Sequence, residues 1–300
     1  LEGRSAPGFD TQLNWSDPDA ISDEEAESLI KWYAESHGTG TTEFTPFVPF
    51  LIENRPGALK RYRRYPHAIY DTCDLPQVTI AMLFLHYYIV IGNRPGVIYQ
   101  VIAAREWGAS KAEVLDMIQL AFLRSGPLGG NTAAAAAEYL ATWPADEERR
   151  VDNPWPLNWD MSRLPEQSAA IDLELAGTEL TDDERAAIRA WFASEGSNDP
   201  PIVGFLEEHA PLVLKALTAR RAHAIGTASF PHQLIPLIDL HAATIAKDES
   251  EIARAALEAR SRGVTRTQAL GVVCIAFLYV DLAGLNIAAR ALDPIFADWH

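Results

Sequence analysis

The sequence predicts an all-α protein made of two tandem copies of one helical domain. Three observations carry that reading. First, sliding the chain against itself by 155 positions lays FLIENRPGALK (50–60) on FLEEHAPLVLK (205–215), and the register holds without a gap for some eighty residues. Under that shift Pro76 meets Pro231, His86 meets His241, Arg105 meets Arg260, Gly108 meets Gly263, and AFL at 121–123 meets AFL at 276–278. Second, each copy carries helix start and stop signals at matching places. Third, no stretch alternates apolar and polar residues long enough to argue for a sheet.

The elements follow in order. Ser22 and Thr181 each stand three residues before a glutamate, Glu25 and Glu184, the capping-box pattern that satisfies free amides at a helix start. Helices are then predicted over 48–64, 77–91, 95–107, 110–125 and 130–142, and again over 203–221, 232–246, 249–262, 265–282 and 285–296. Gly108 and Gly263 close helices because glycine tolerates the left-handed cap conformation, and Ser110 and Thr265 open the next ones. The segment 144–165, rich in proline and charge, separates the copies. This gives a first repeat over 1–150, a linker over 151–165 and a second repeat over 166–300. Upstream, SDEEAESLIKWYA (22–34) matches TDDERAAIRAWFA (181–193) at a shift of 159, so the first copy carries extra residues near GTGTTEFTP, where a loop is expected.

Composition bounds the function. With 25 Lys+Arg against 41 Asp+Glu the net charge is −16, which repels nucleic-acid phosphates and anionic membrane surfaces. The longest apolar stretch, 267–285, is interrupted by Asp281 and suits a buried core helix better than a membrane span. No basic region followed by an apolar run opens the chain, so a cytoplasmic location is expected; Leu1 to Ser5 stay outside the fold argument. Cys73 and Cys274 form no CxxC or ligand cluster, so neither a thiol redox centre nor a bound metal is expected, and each is taken as a small buried hydrophobe.

The stretches IGNRPGVIYQVIAAREWGASKAEVLDMIQLAF (91–122) and AKDESEIARAALEARSRGVTRTQALGVVCIAF (246–277) resemble the carboxymuconolactone decarboxylase and alkylhydroperoxidase D superfamily. The resemblance covers roughly 50–142 and 205–296 and rests on pattern and spacing. It implies a peroxidase branch that uses a Glu, a CxxC pair and a His. Counting back from Gly108, those positions hold Asn93, Gly96, Gln100 and a residue near Ala81; from Gly263 they hold Asp248, Glu251, Ala255 and a residue near Pro236. None keeps the peroxidase residue type, and without a thiol there is no disulfide exchange. The decarboxylase branch implies acid–base chemistry without a metal or organic cofactor. The expectation is therefore a cofactor-independent lyase or isomerase acting on a small carboxylate, lactone or enone, with a degenerate, non-catalytic binding or assembly module as the alternative. Single-unit members of the family form rings, which implies a homo-oligomer or an intramolecular pair here.

Several residues are candidates for that chemistry. His86 and His241 are the histidines that coincide under the repeat, as a general acid or base in each copy or as core histidines. Asp239 and Asp281 place carboxylates in apolar helices where the first copy has Phe84 and Gly126; they serve either as acids of raised pKa or as salt bridges between the copies. His232 stands seven residues before Asp239, on the same helical stripe. In the turn NRPG and the VIYQ after it, Asn93, Arg94, Tyr99 and Gln100 form either an anion site at a helix start or a proline-capped helix with solvated polar groups. Tyr88, with Tyr87, lines the same pocket or belongs to the core. The run YRRYPHAIYDTC (62–73) attracts an anion or ends a solvated helix, and Lys60 and Lys215 are taken as surface residues with snorkelling side chains.

Overall fold

The computed structural model describes residues 13–35, 41–43, 45–159, 171–194 and 201–299, and every regular element among them is a helix. The first half holds α1 (Asp23–Glu35), α2 (Phe47–Asn54), α3 (Pro56–Thr72), α4 (Gln77–Val90), α5 (Arg94–Glu106), α6 (Lys111–Ala133) and, after one tight turn, α7 (Ala137–Thr142). The second holds α8 (Asp182–Ser194), α9 (Pro201–His209), α10 (Pro211–Gly226), α11 (Leu234–Ala246), α12 (Glu249–Ser261), α13 (Arg266–Ala276) and α14 (Leu282–Ala297).

The caps sit where the sequence places them. Ser22 Oγ accepts from the Glu25 amide at 3.2 Å while Glu25 Oε2 accepts from the Ser22 amide at 2.9 Å, and Thr181 with Glu184 repeats this at 3.3 and 3.0 Å. Ser110–Glu113 and Thr265–Gln268 form two more reciprocal boxes. Gly108 and Gly263 follow α5 and α12 at φ +96° and +78°.

Four helix expectations are corrected. The helices predicted over 48–64 and 203–221 each break in two, at Arg55 and Ala210, with the same φ of −152° and ψ of 62°. A proline follows each break, and its ring drives the preceding residue out of the α region. The gap expected between 125 and 130 is a kink inside α6, at Gly126 with φ 59° and Pro127 after it. The helix expected over 265–282 stops at Ala276, because Asp281 starts a new one: its carboxylate accepts from the Gly284 amide at 3.2 Å.

Lys60 and Lys215 are also corrected. Their side chains are 1% and 3% exposed, and each ammonium pairs with the capping glutamate of its half, Glu25 at 2.8 Å and Glu184 at 2.6 Å. The first helix of each half is thus clamped to α3 or α10 through a buried charge.

One apolar core runs through both halves, with a smaller cluster of Leu13, Leu29, Tyr33, Val48 and Leu59 beneath α1 to α3. In the seam α4 packs on α11, α3 on α13 and α10 on α6. The last two contacts exchange under the 155-residue shift, since α10 stands to α6 as α3 stands to α13. The segment after α7 is no loose spacer. Trp155 and Trp159 are buried and stacked, with indole N–H groups donating to Glu113 at 2.9 Å and to Gln268 at 3.1 Å. Arg149 adds a forked pair to Glu113, so the linker pins α6 of one half and α13 of the other. Residues 160–165 of the predicted linker lie outside the described residues.

Candidate functional site

The seam of α4 and α11 brings together the chemistry that the sequence scatters. Both helices are apolar nearly all round, so a polar residue on either faces packed side chains rather than water. Asp239 and His241 are two residues apart on α11, hence on opposite sides of it. Asp239 therefore shares one niche with His86, while His241 turns into another.

The His86 niche is an open cleft of about 270 Å³. Its polar end is His86, Arg124, Arg221 and Asp239; Leu120, Leu123 and isoleucines of α10 and α11 supply the apolar wall. Residues of both halves line it. Arg124, beside the α6 kink, pairs with Asp239 Oδ1, and Arg254 of α12 reaches Oδ2 at 3.3 Å. Arg254 is itself held by Glu251 at 2.9 Å and Glu258 at 2.7 Å. Arg221 donates no hydrogen bond to a described residue, and its charge acts on Asp239 through space.

Burial and these neighbours set the protonation states. Burial pushes the Asp239 carboxyl upward, but the charges of Arg124, Arg221 and Arg254 outweigh it and hold the group below its ordinary value. Asp239 is ionised, so it is no reservoir of a proton at neutral pH. It makes the cross-seam ion pair that was the other reading of its sequence position. His86 is pushed down to about 3, by burial and then by Arg124, with Asp239 opposing. His241 reaches about 3 for the same two reasons, burial and Arg124. Both imidazoles are neutral across the physiological range, not poised near it.

The His241 niche is filled. Its ring packs edge-on against Phe84 at 6.2 Å and Tyr87 at 5.9 Å, and Tyr279 lies 4.4 Å from Tyr87, centroid to centroid. Neither ring nitrogen of His241 has a hydrogen-bond partner among the described residues. The two niches correspond under the 155-residue shift: Phe84 stands where Asp239 stands, and Tyr279 where Arg124 stands.

Of the ten candidates, His86 and Asp239 thus meet in the cleft and His241 lies behind it. Asp281 is exposed, caps α14 and pairs with Lys247 at 3.0 Å, so it is not a buried acid. His232 precedes α11 rather than sitting within it; its Nδ1 lies 2.6 Å from Arg262 Nη1, and burial followed by that guanidinium lowers it to about 4. Asn93 caps α5, accepting from the Gly96 amide at 3.0 Å, and Arg94 is exposed. Tyr99 and Gln100 are buried in α5 and do not line the cleft. The Tyr88 hydroxyl shares a 2.7 Å hydrogen bond with Tyr279, and its ring covers Gly96 so closely that a Cβ there would meet it at 2.7 Å. The α5 turn is therefore closed by packing. Side chains of His67, Tyr70 and Asp71 in the basic-aromatic run lie outside the described residues.

Sequence reasoning missed Arg124, Arg221 and Arg254. Arg124 had a readable signal, an arginine in an apolar run (AFLR) where the second copy reads AFLY; Arg221, in TARRAHA, had none. Among the described residues no three His, Cys, Asp or Glu side chains are grouped to hold a metal ion, and no helix is long and apolar enough to cross a membrane. No protein-family model, curated protein or solved structure matches the chain.

Proposed function

We propose that the chain is a cofactor-independent lyase or isomerase that handles protons on a small carboxylate-bearing lactone or enone in the His86 cleft, as a tandem member of the carboxymuconolactone decarboxylase-like superfamily. The observation that carries this reading is an uncommitted guanidinium, Arg221, beside an ionised carboxylate and a neutral imidazole in one half-apolar cleft. Arg221, with Arg124, receives the substrate carboxylate in the forked geometry that guanidinium favours. Asp239, already ionised, takes the proton from carbon. Neutral His86 offers one N–H to the oxygen on which charge develops, as a donor that needs no proton of its own to lose.

A second reading is favoured by one observation: no titratable group in the cleft has been moved toward neutrality, as acid–base catalysts usually are. On that reading the cleft binds a carboxylate without turning it over. Proton exchange separates the two. With 5-oxotetrahydrofuran-2-carboxylate in D₂O, NMR is expected to show deuterium entering next to the lactone carbonyl, slowed at least tenfold by Asp239→Asn or His86→Gln. Arg221→Gln is expected to weaken binding about tenfold, the worth of one charge-assisted hydrogen bond pair. Binding without exchange selects the binding module, and no binding by calorimetry overturns both.

A further inference from the structure

A second cavity, larger than the His86 cleft, lies elsewhere in the molecule. It encloses about 630 Å³ where the docked linker crosses the seam, and it shares no lining residue with that cleft. Small-molecule sites span roughly 300–1,000 Å³ and are walled by apolar and aromatic side chains with a few polar groups, which describes this space. Trp107, at the end of α5, and Trp155, from the linker, provide aromatic wall; Leu75 and Pro76 continue it, and Gln268 closes one side.

The walls are fixed before any ligand arrives. Trp155 is held by its bond to Glu113 and its stack on Trp159. The linker lies so tightly on Gly108, whose φ is +96°, that a Cβ there would meet Val151 at 2.9 Å. Asn153, in the same turn, is held at φ +47°, a left-handed conformation unusual outside glycine. A loop clamped at these points cannot collapse into the cavity to fill it.

The electrostatics select the occupant. Among the described residues no lysine, arginine or histidine lines the cavity, whereas Asp74 and Asp152 both do, exposed and unpaired with any described cation. A chain of net charge −16 adds to that field. Exposed carboxylates beside an aromatic wall are what an ammonium group on an apolar body recognises, through ion pairing and through the attraction of a cation to aromatic rings. We propose that this cavity binds an organic cation, an arylalkylammonium being the class that fits. It is thereby the electrostatic opposite of the His86 cleft, and its occupancy does not depend on what that cleft does.

The test uses the full chain and two near-isosteric probes, 2-phenylethylammonium and 3-phenylpropionate, titrated by calorimetry and by ligand-observed NMR. The ammonium is expected to bind, to bind less as salt rises, and to lose at least tenfold in affinity in the Asp74→Asn/Asp152→Asn variant, whose exposed positions leave folding intact. Trp107→Leu is expected to weaken it to a similar degree. The carboxylate is expected to leave the ammonium in place, and any binding of its own is expected to weaken about tenfold in Arg221→Gln and to be unchanged in Trp107→Leu, which marks it as bound in the other cleft. The proposal is overturned if the ammonium does not bind, if the double variant binds it unchanged, or if the carboxylate competes for the Trp107-dependent site.

Discussion

Replacing Lys60 by methionine keeps the length of the side chain and removes only its ammonium, and the structure sets what that removes. Nζ donates to the carbonyls of Asn14 at 2.9 Å, Asp17 at 3.0 Å and Ala20 at 2.6 Å while pairing with Glu25 at 2.8 Å. Glu25 keeps its backbone donors, from Asn14 at 2.6 Å and Ser22 at 2.9 Å, so it stays ionised and loses only its counter-charge. Breaking one partner of a buried pair costs about 3–5 kcal/mol, a large share of the roughly 5–15 kcal/mol that holds a domain together. The chain supplies its own control in Lys31, whose pair with Glu35 spans 4.0 Å with both side chains mostly in solvent, and such pairs contribute about 0–1 kcal/mol. Lys215 has Glu184 and a single carbonyl, that of Glu179 at 3.2 Å, so its loss should fall between the two. Urea unfolding followed by tryptophan fluorescence gives the order directly: Lys60→Met most destabilised, then Lys215→Met, then Lys31→Met. Adding Glu25→Gln to Lys60→Met should restore part of the loss, because the stranded charge is gone. If Lys60→Met lies within about 0.5 kcal/mol of Lys31→Met, the range of an ordinary surface change, the buried clamp carries no weight and the reasoning fails.

Two further outcomes follow from buried groups. His86 and His241, held near 3 when folded, bind protons near 6.5 when unfolded, so their folded pKa is depressed. Stability from both is fully present above about pH 6.5 and falls as the pH drops toward 3, by up to about 1.4 kcal/mol per pH unit for each histidine. Unfolding free energies between pH 7 and 5 should therefore slope down, and His241→Phe should flatten the slope and raise the midpoint at pH 7, since it removes two buried ring nitrogens that have no partner among the described residues. A steeper slope in that variant would contradict the burial of a neutral ring. Trp159→Phe deletes the donor to Gln268 and should cost about 1 kcal/mol. Hydrogen exchange is expected to rise at the start of α13 and not at that of α6, and equal change at both would show that the linker does not act through these contacts separately.

The fold was legible in the sequence wherever a local signal sets it. Caps at Ser22, Ser110, Thr181 and Thr265 and the glycine stops at 108 and 263 act through their own backbones, so residue type alone places them. The breaks at Arg55 and Ala210 were equally local and were legible in Pro56 and Pro211, but apolar periodicity on both sides concealed them. Burial of Lys60 and Lys215 was not legible. An amphipathic helix offers the same pattern to water and to an unseen capping glutamate in another helix, and only tertiary placement decides. The site divides the same way. His86 and Asp239 stood out as polar residues in apolar helices, whereas the direction of the Asp239 shift depends on arginines brought from α6, α10 and α12, and that of His86 on burial first and then on Arg124. The α5 turn looked like a site because it kept polar residues, and packing of Tyr88 on Gly96 closes it.

The two seam niches, which correspond under the 155-residue shift, show what separates an open cleft from a filled one. Each has a histidine at the same register, on α4 or α11, and each faces the other half: His86 shares its niche with Asp239, and His241 packs on Phe84 and Tyr87. In one, Phe84 and Tyr279 fill the space with rings and leave His241 with no hydrogen-bond partner among the described residues. In the other, Asp239 and Arg124 occupy those two positions. Two opposite charges pair with each other and cannot close on the cavity as rings do, so a cleft remains beside His86. The change is best made in pairs, because Asp239 is the shared counter-charge of Arg124, Arg221 and Arg254, and losing it alone leaves all three guanidinium groups without it. An exchange of both partners is therefore the informative perturbation: Asp239→Phe with Arg124→Tyr should fold, since it repeats the packing already present around His241, and should abolish carboxylate binding. Asp239→Phe alone should be the less stable protein despite carrying fewer changes, because it leaves Arg124 without the charge it faces. If the single variant is instead the more stable of the two, the charges are not coupled across the seam and the cleft owes its opening to something other than their pairing.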